Sequence, residues 1–260
     1  MEHLEPDRRH RPASEEGPTG RPVIFITPHP DDEVLGFSVQ LWRHVAAGRE
    51  VHLLALTRGT ATRVRGELNG EVMPPWWNIR HDPTLEGYAP LDPAGVGRAR
   101  MRELAAACAA VGIGADRIHE AELQDGAVTT AQVKAAIVAL ADELDPDTGL
   151  WAPSYLVDNH PDHLAAGQAV RALGREQPTR FWDRRYIVLR LYWSDPRLAQ
   201  VPGGGLTTPA TSEERRRTIN AARCYGAWQP RSGAFAVGHH STPTLFDAAL
   251  GDPRAFVHKD

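Results

Sequence analysis

At 260 residues the chain is long enough for one large α/β domain with a sizeable core. It is 42% hydrophobic and 24% charged, with a net charge of −4 when histidines are neutral, which speaks against a nucleic-acid or anionic-membrane partner. No apolar run reaches transmembrane length, and Cys108 and Cys224 are too far apart to read as a zinc motif or a disulfide framework.

Residues 1–20 are polar and rich in Pro, Glu, Arg and Gly, with no apolar h-region. They read as a disordered arm rather than a secretory signal, and the cytoplasm is the expected compartment. Residues 21–260 read as a single domain. Residues 22–28 are apolar without alternation, the pattern of a strand buried on both faces. The turn Pro28-His29-Pro30-Asp31-Asp32-Glu33 follows, then a helical period over 34–47 and a second strand over 51–57, a parallel crossover unit. Residues 58–94 hold Gly, Pro, Asn and Arg together with Trp76, Trp77 and Tyr88. A segment of that length, starting at the carboxyl end of a strand and carrying aromatics, reads as a partly ordered substrate-binding loop.

Further along, residues 98–111 form an amphipathic helix (Met101, Leu104, Ala105, Cys108, Val111), and a short strand is expected within 118–123. Asp125-Gly126 is a turn signal, residues 130–144 a helix stopped by Pro146, and 149–152 a short buried strand. Asp158-Asn159-His160-Pro161-Asp162-His163 then opens a helix over 164–173. Residues 186–193 are strand-prone, 202–205 are Gly-rich, and 212–225 form a helix with Thr211 and Glu214 as a capping box. Residues 228–260 read as loop-rich. The alternation predicts a three-layer, Rossmann-like α/β fold: a mostly parallel sheet with helices on both faces.

Two turns carry chemistry. His29 and Asp32 are three apart where a helix starts, and so are His160 and His163, so each pair can converge on one point. Pro30 and Pro161 sit near first helical positions. Either segment alone is an ordinary capped turn. Two of them, each strand-turn-helix, favour a shared site. Imidazole and carboxylate suit zinc and related metals, and catalytic zinc sites commonly use three protein ligands. His29, Asp32 and His163 can supply them, which leaves Asp31 as a general base and His160 to stabilise an oxyanion or protonate a leaving amine. Asp162 can hold the tautomer of His160. Glu33 supports a ligand or complements the helix start. His44, His52, His81 and His119 stand alone and read as surface or satisfied core groups. His239-His240 reads as part of a solvated loop, with a substrate contact as the sharper alternative.

These residues resemble the LmbE-like, PIG-L superfamily of zinc-dependent N-acetylglucosamine deacetylases. Pro28 to Glu33 and His160 to His163 carry the resemblance. Thr57-Arg58-Gly59, Arg100 with Glu103, Leu123 with Asp125-Gly126, and Tyr225 with Gln229 are weaker matches over about residues 22–230. The resemblance implies zinc on His29, Asp32 and His163, Asp31 as base, His160 as its electrostatic or acid partner, and Asp162 orienting His160. It implies substrate contacts at Arg58 and Asp125, the latter to sugar hydroxyls. Thr60 departs from the acidic residue that the family often carries, and Asp158-Asn159 from a tyrosine found in some members. The function implied is removal of an N-acetyl group from a small amino-sugar conjugate, a secondary-metabolite glycoside or a mycothiol-type precursor. An amidase acting on a thiol conjugate and a non-catalytic carbohydrate-binding relative are the alternatives. Oligomeric state is not set by the sequence.

Overall fold

The computed structural model describes residues 21–145 and 147–260. The arm at 1–20 and the stop at Pro146 lie outside them. Strand β1 (Val23–Thr27), helix α1 (Val39–Ala46) and β2 (Val51–Ala55) form the first crossover. Then come α2 (Val64–Leu68), α3 (Pro83–Glu86), α4 (Pro93–Ala110), β3 (Ile118–Glu120) and α5 (Thr130–Leu144). β4 (Gly149–Pro153), α6 (Pro161–Glu176), β5 (Arg184–Val188), β6 (Gly205–Thr207) and α7 (Ser212–Cys224) follow. β7 (Trp228–Gln229), β8 (Ala234–Phe235), α8 (Val237–Ser241), α9 (Pro243–Gly251) and β9 (Ala255–His258) complete the chain.

The alternation of side chains along β1 explains the layers. Val23 and Phe25 pack with Leu41, Leu104 and Ala222 of α1, α4 and α7. Ile24 and Ile26 pack on the opposite face with Ile137 and Val170 of α5 and α6. With both faces covered, the strand reads as one apolar run. Among the described residues the main sheet has the order β3-β2-β1-β4-β5-β9-β6, and the short β7–β8 ribbon stands apart. β1 to β5 are parallel, while β9 runs antiparallel to β5 and β6. This is the three-layer, mostly parallel arrangement expected from the sequence.

The winding reverses between β1 and β4. From β1 the chain moves outward to β2 and β3, and from β4 to β5. Loops that leave neighbouring strands at such a reversal part and open a crevice. The His29–Asp32 turn leaves β1 and the segment ending in His160–His163 leaves β4. Helix α6 comes down on its own preceding loop, where a Cβ on Gly167 would lie 2.5 Å from the Pro153 oxygen and 2.6 Å from the Tyr155 nitrogen. Both neighbours are backbone, so Gly167→Ala is expected to cost about 1–3 kcal/mol. The check is a lower urea midpoint at unchanged m value.

Several expectations need correction. The helix read over 34–47 begins as one wide turn, Glu33–Phe37, closed by Ser38 N–H donating to the Glu33 oxygen at 2.9 Å, before α1 starts. Such i→i+5 turns cluster at functional sites, and the hydrophobic period does not reveal them. The strand read over 186–193 stops at Val188. At α7 only half of the capping box forms: Thr211 Oγ1 accepts from Glu214 N–H at 3.1 Å, but the Glu214 carboxylate accepts from Arg43 instead. The full reciprocal box is Thr129 with Gln132.

Residues 228–260 are not loop-rich. They hold α8, α9 and β9, elements of nine residues or fewer that are too short to show a period. Residues 58–94 are ordered by Val64 and Leu68, which pack with Val96, Phe235 and Val237. Trp76 and Trp77 meet edge to face, with ring centres 5.0 Å apart, and both pack on His240. His81 stacks on Trp228 at 4.4 Å, and its Nε2 lies 3.0 Å from His240 Nε2. His239 and His240 are therefore buried in α8, not solvated.

Candidate metal and catalytic site

The two turns converge. His29 Nδ1 lies 3.1 Å from His163 Nε2 and 3.4 Å from Asp32 Oδ2, and His163 Nε2 lies 3.2 Å from the same Asp32 oxygen. This is a nearly equilateral triangle of three donor atoms. Tetrahedral zinc with ligands at about 2.0–2.1 Å needs donors roughly 3.3–3.4 Å apart, so the residues fit such an ion.

The outer nitrogens strengthen the fit. His163 Nδ1 lies 2.9 Å from Asp158 Oδ2, and His29 Nε2 lies 3.2 Å from both Asp125 and Asp162. A carboxylate accepts only, so each ring carries its proton on the outer nitrogen. With the inner nitrogens unprotonated, two lone pairs face each other beside a carboxylate oxygen, an arrangement that takes a positive charge, a proton or a metal ion. The charge balance agrees. Burial pulls His29 down, but hydrogen bonds to Asp125, Asp162 and Asp32 outweigh it and raise its pKa well above the ordinary value. His163 is likewise raised to about 9 against its burial, chiefly by Asp32 and Asp158. Burial would raise Asp32, but His163 and His29 hold it far below the usual carboxylate range.

Asp31 sits beside this triangle with a φ of 142°. Non-glycine residues are uncommon there, at a cost on the order of 1–3 kcal/mol. Neighbours hold the strained residue in place. Glu33 Oε2 accepts from Asp31 N–H at 3.0 Å, and Arg100 donates to Asp31 Oδ2 at 2.6 Å. Burial raises the Asp31 carboxyl to about 6, with Arg100 opposing and Asp32 adding. Tyr225 donates its hydroxyl to the other oxygen of Glu33, deep in the core. Tyr225→Phe removes that donor and is expected to lower stability by about 1–3 kcal/mol in chemical denaturation.

The remaining candidates lie as follows. His160 is the N-cap of α6, with its Nδ1 accepting from Asp162 N–H at 3.3 Å and its ring centre 4.6 Å from that of His29. The Asp162 carboxylate does not reach for His160. It accepts from Gly126 N–H and Val128 N–H at 2.8 and 3.1 Å and turns to His29. Two backbone donors fix it there, so His160 meets the amide of Asp162 rather than its carboxylate. Asp125 Oδ2 accepts from Ala61 N–H at 2.6 Å while Oδ1 faces His29. Arg58 points away, pairing with Glu120 and Glu122 at 2.6 and 2.9 Å. Of residues 58–94, only Ala61 and Thr62 line the cavity above the triangle, so the tryptophans of that segment are packing groups. Asp158 and Arg100 carry contacts that spacing did not assign. Asp158 could have been noticed as a carboxylate just ahead of a paired histidine motif, whereas Arg100 is marked only by the family resemblance, which gave it no contact.

Residues 24–173 match the PIG-L family, described as GlcNAc-PI de-N-acetylase. The chain belongs to the PIG-L family. A relative from Kineococcus radiotolerans, 1D-myo-inositol 2-acetamido-2-deoxy-alpha-D-glucopyranoside deacetylase, is 29% identical over 203 residues, covering 77% of this chain and 44% of the relative. The chain spans about half the length of the curated relatives it matches. A crystal structure of a deacetylase of teicoplanin biosynthesis shares the fold, with a TM-score of 0.61 at 17% identity over 92% of this chain and 99% of that one. So does the 4-carboxy-2-hydroxymuconate hydratase of Pseudomonas putida, with a TM-score of 0.53 at 12% identity over 92% and 95%. The fold alone therefore does not select the reaction. Among the described residues no helix is long and apolar enough to cross a membrane.

Proposed function

We propose that the chain is a metal-dependent hydrolase that removes the acetyl group from an N-acetylglucosamine-containing conjugate, with zinc held by His29, Asp32 and His163. The observation that carries this reading is the triangle of His29 Nδ1, Asp32 Oδ2 and His163 Nε2, with both imidazoles oriented by outer carboxylates. The amino-sugar substrate comes from the family match and from the acetamido sugar in the Kineococcus relative's name.

When bound, zinc would polarise a carbonyl and lower the pKa of a water molecule. The chain's own groups supply the rest. Asp31 takes a proton from the attacking water as its oxygen adds to the acetamide carbon. His160 accepts the Asp162 amide at Nδ1, so its proton sits on Nε2, which donates to the developing oxyanion. The carbon–nitrogen bond then breaks, and the proton held by Asp31 passes to the amine. Acetate and a free amino sugar leave. Asp125, on the cavity wall, meets a sugar hydroxyl. Arg58 shapes the adjoining cleft that it shares with Asp125.

The test is metal analysis of the purified chain, then acetate release from a panel of N-acetylglucosamine conjugates. We expect about one zinc per chain, activity lost on chelation, and activity restored by zinc. Acetate release that survives complete metal removal, or none from any conjugate, would overturn the proposal.

A further inference from the structure

The cavity over the triangle holds about 280 Å³. That is just below the roughly 300–1,000 Å³ usual for ligand pockets, room for one sugar with its acetamide while the rest of a conjugate leaves across the mouth. Its lining is of two kinds. Asp31, Asp32, Asp125 and Asp158 stand with the histidines. The apolar part is Leu35, Leu189, Leu191, Leu245 and the ring of Tyr192, with Ala61, Thr62, Ser241 and Thr242 completing the wall.

Leu191 stands out on that wall. It is 63% exposed and lines the mouth, unlike the other large exposed hydrophobics among the described residues. It is also held in place. Arg190 beside it donates to the Ala248 oxygen at 2.9 Å and to Asp252 at 2.6 Å, and Tyr192 N–H donates to the Leu189 oxygen at 2.9 Å. An apolar side chain presented on a pinned turn is preorganised for contact.

Charge narrows the choice. Arg100 is the cavity's one guanidinium or ammonium group among the described residues, and it is committed to Asp31, the Pro30 oxygen and the Gly59 oxygen. A phosphate-bearing aglycone would find no free guanidinium or ammonium group in the cavity lining to receive it. An inositol would bring no apolar surface to these leucines, whereas an alkyl or aryl group would bury theirs.

We propose that the group attached to the amino sugar is uncharged and apolar, an alkyl or aryl aglycone, and that Leu191 selects it. This rests on the deacetylase reading. The test uses the zinc-loaded full chain and four N-acetylglucosaminides that differ only in aglycone: hexyl, phenyl, inositol and inositol phosphate. The hexyl and phenyl compounds should exceed inositol in kcat/KM by about tenfold or more, with inositol phosphate lowest. Leu191→Ser should narrow the hexyl-to-inositol ratio through KM. Equal rates for all four, or a preference for either inositol compound, would overturn the inference while leaving the deacetylase reading intact. If no compound is turned over, that reading fails instead, and calorimetric binding decides this one: tighter hexyl than inositol binding supports it, and equal or weaker hexyl binding overturns it.

Discussion

Asp31→Asn is expected to lower kcat by about 10²–10⁴-fold while zinc content and KM change little. An asparagine keeps the volume of the carboxylate, and its amide oxygen can accept from Arg100 where Asp31 Oδ2 does at 2.6 Å. Asparagine also has the backbone preferences closest to those of aspartate, so the strain at a φ of 142° is little changed. What it cannot do is take a proton from water. The competing effect is the loss of the buried charge opposite Arg100, which would destabilise the fold. Arg100 still donates to the Pro30 and Gly59 oxygens, and a melting curve separates the two effects. A folded, zinc-loaded variant with undiminished turnover would remove Asp31 as the base.

How much of this was legible in the sequence depends on distance along the chain. The His29–Asp32 and His160–His163 turns could be read because each is local, strand then turn then helix, and each sets ligand-type residues three apart. That they meet follows from topology: β1 and β4 are neighbours at the reversal of the sheet. The supports of Asp31 could not be read this way. Arg100 reaches it from 69 positions away, and Tyr225 reaches Glu33 from 192. No periodicity spans such separations. Residues 58–94 were legible as unusual, because tryptophans in a segment rich in Gly and Pro imply burial. They did not say against what. The partner of His81 is His240, 159 positions on, in a stretch whose elements are too short to show a pattern. Asp162 was assigned to the wrong histidine for a related reason. Adjacency favoured His160, but the amides of Gly126 and Val128 hold its carboxylate toward His29.

Asp158→Asn should weaken zinc binding by about 10–100-fold, and His163→Ala by more, since it deletes a ligand outright. The asparagine variant tests the tautomer argument directly. Asp158 Oδ1 accepts from Asn159 N–H at 2.7 Å and His160 N–H at 2.8 Å, bonds that an amide oxygen preserves, so the loop stays formed. The amide nitrogen then falls where Asp158 Oδ2 faces His163 Nδ1 at 2.9 Å. Being a donor, it requires an unprotonated Nδ1, which moves the ring proton to Nε2. That proton points at Asp32 Oδ2, 3.2 Å away, into the place a metal would take. Competition against a chromophoric chelator measures both variants. Unchanged affinity in Asp158→Asn would mean that the outer carboxylate does not set the ring. Unchanged affinity in His163→Ala would move the metal to the other face of His29, where Asp125 and Asp162 offer oxygens within 4.8 Å. Asp125→Asn would then be the variant that loses zinc, whereas with the ion on His29, Asp32 and His163 it should lose less than His163→Ala.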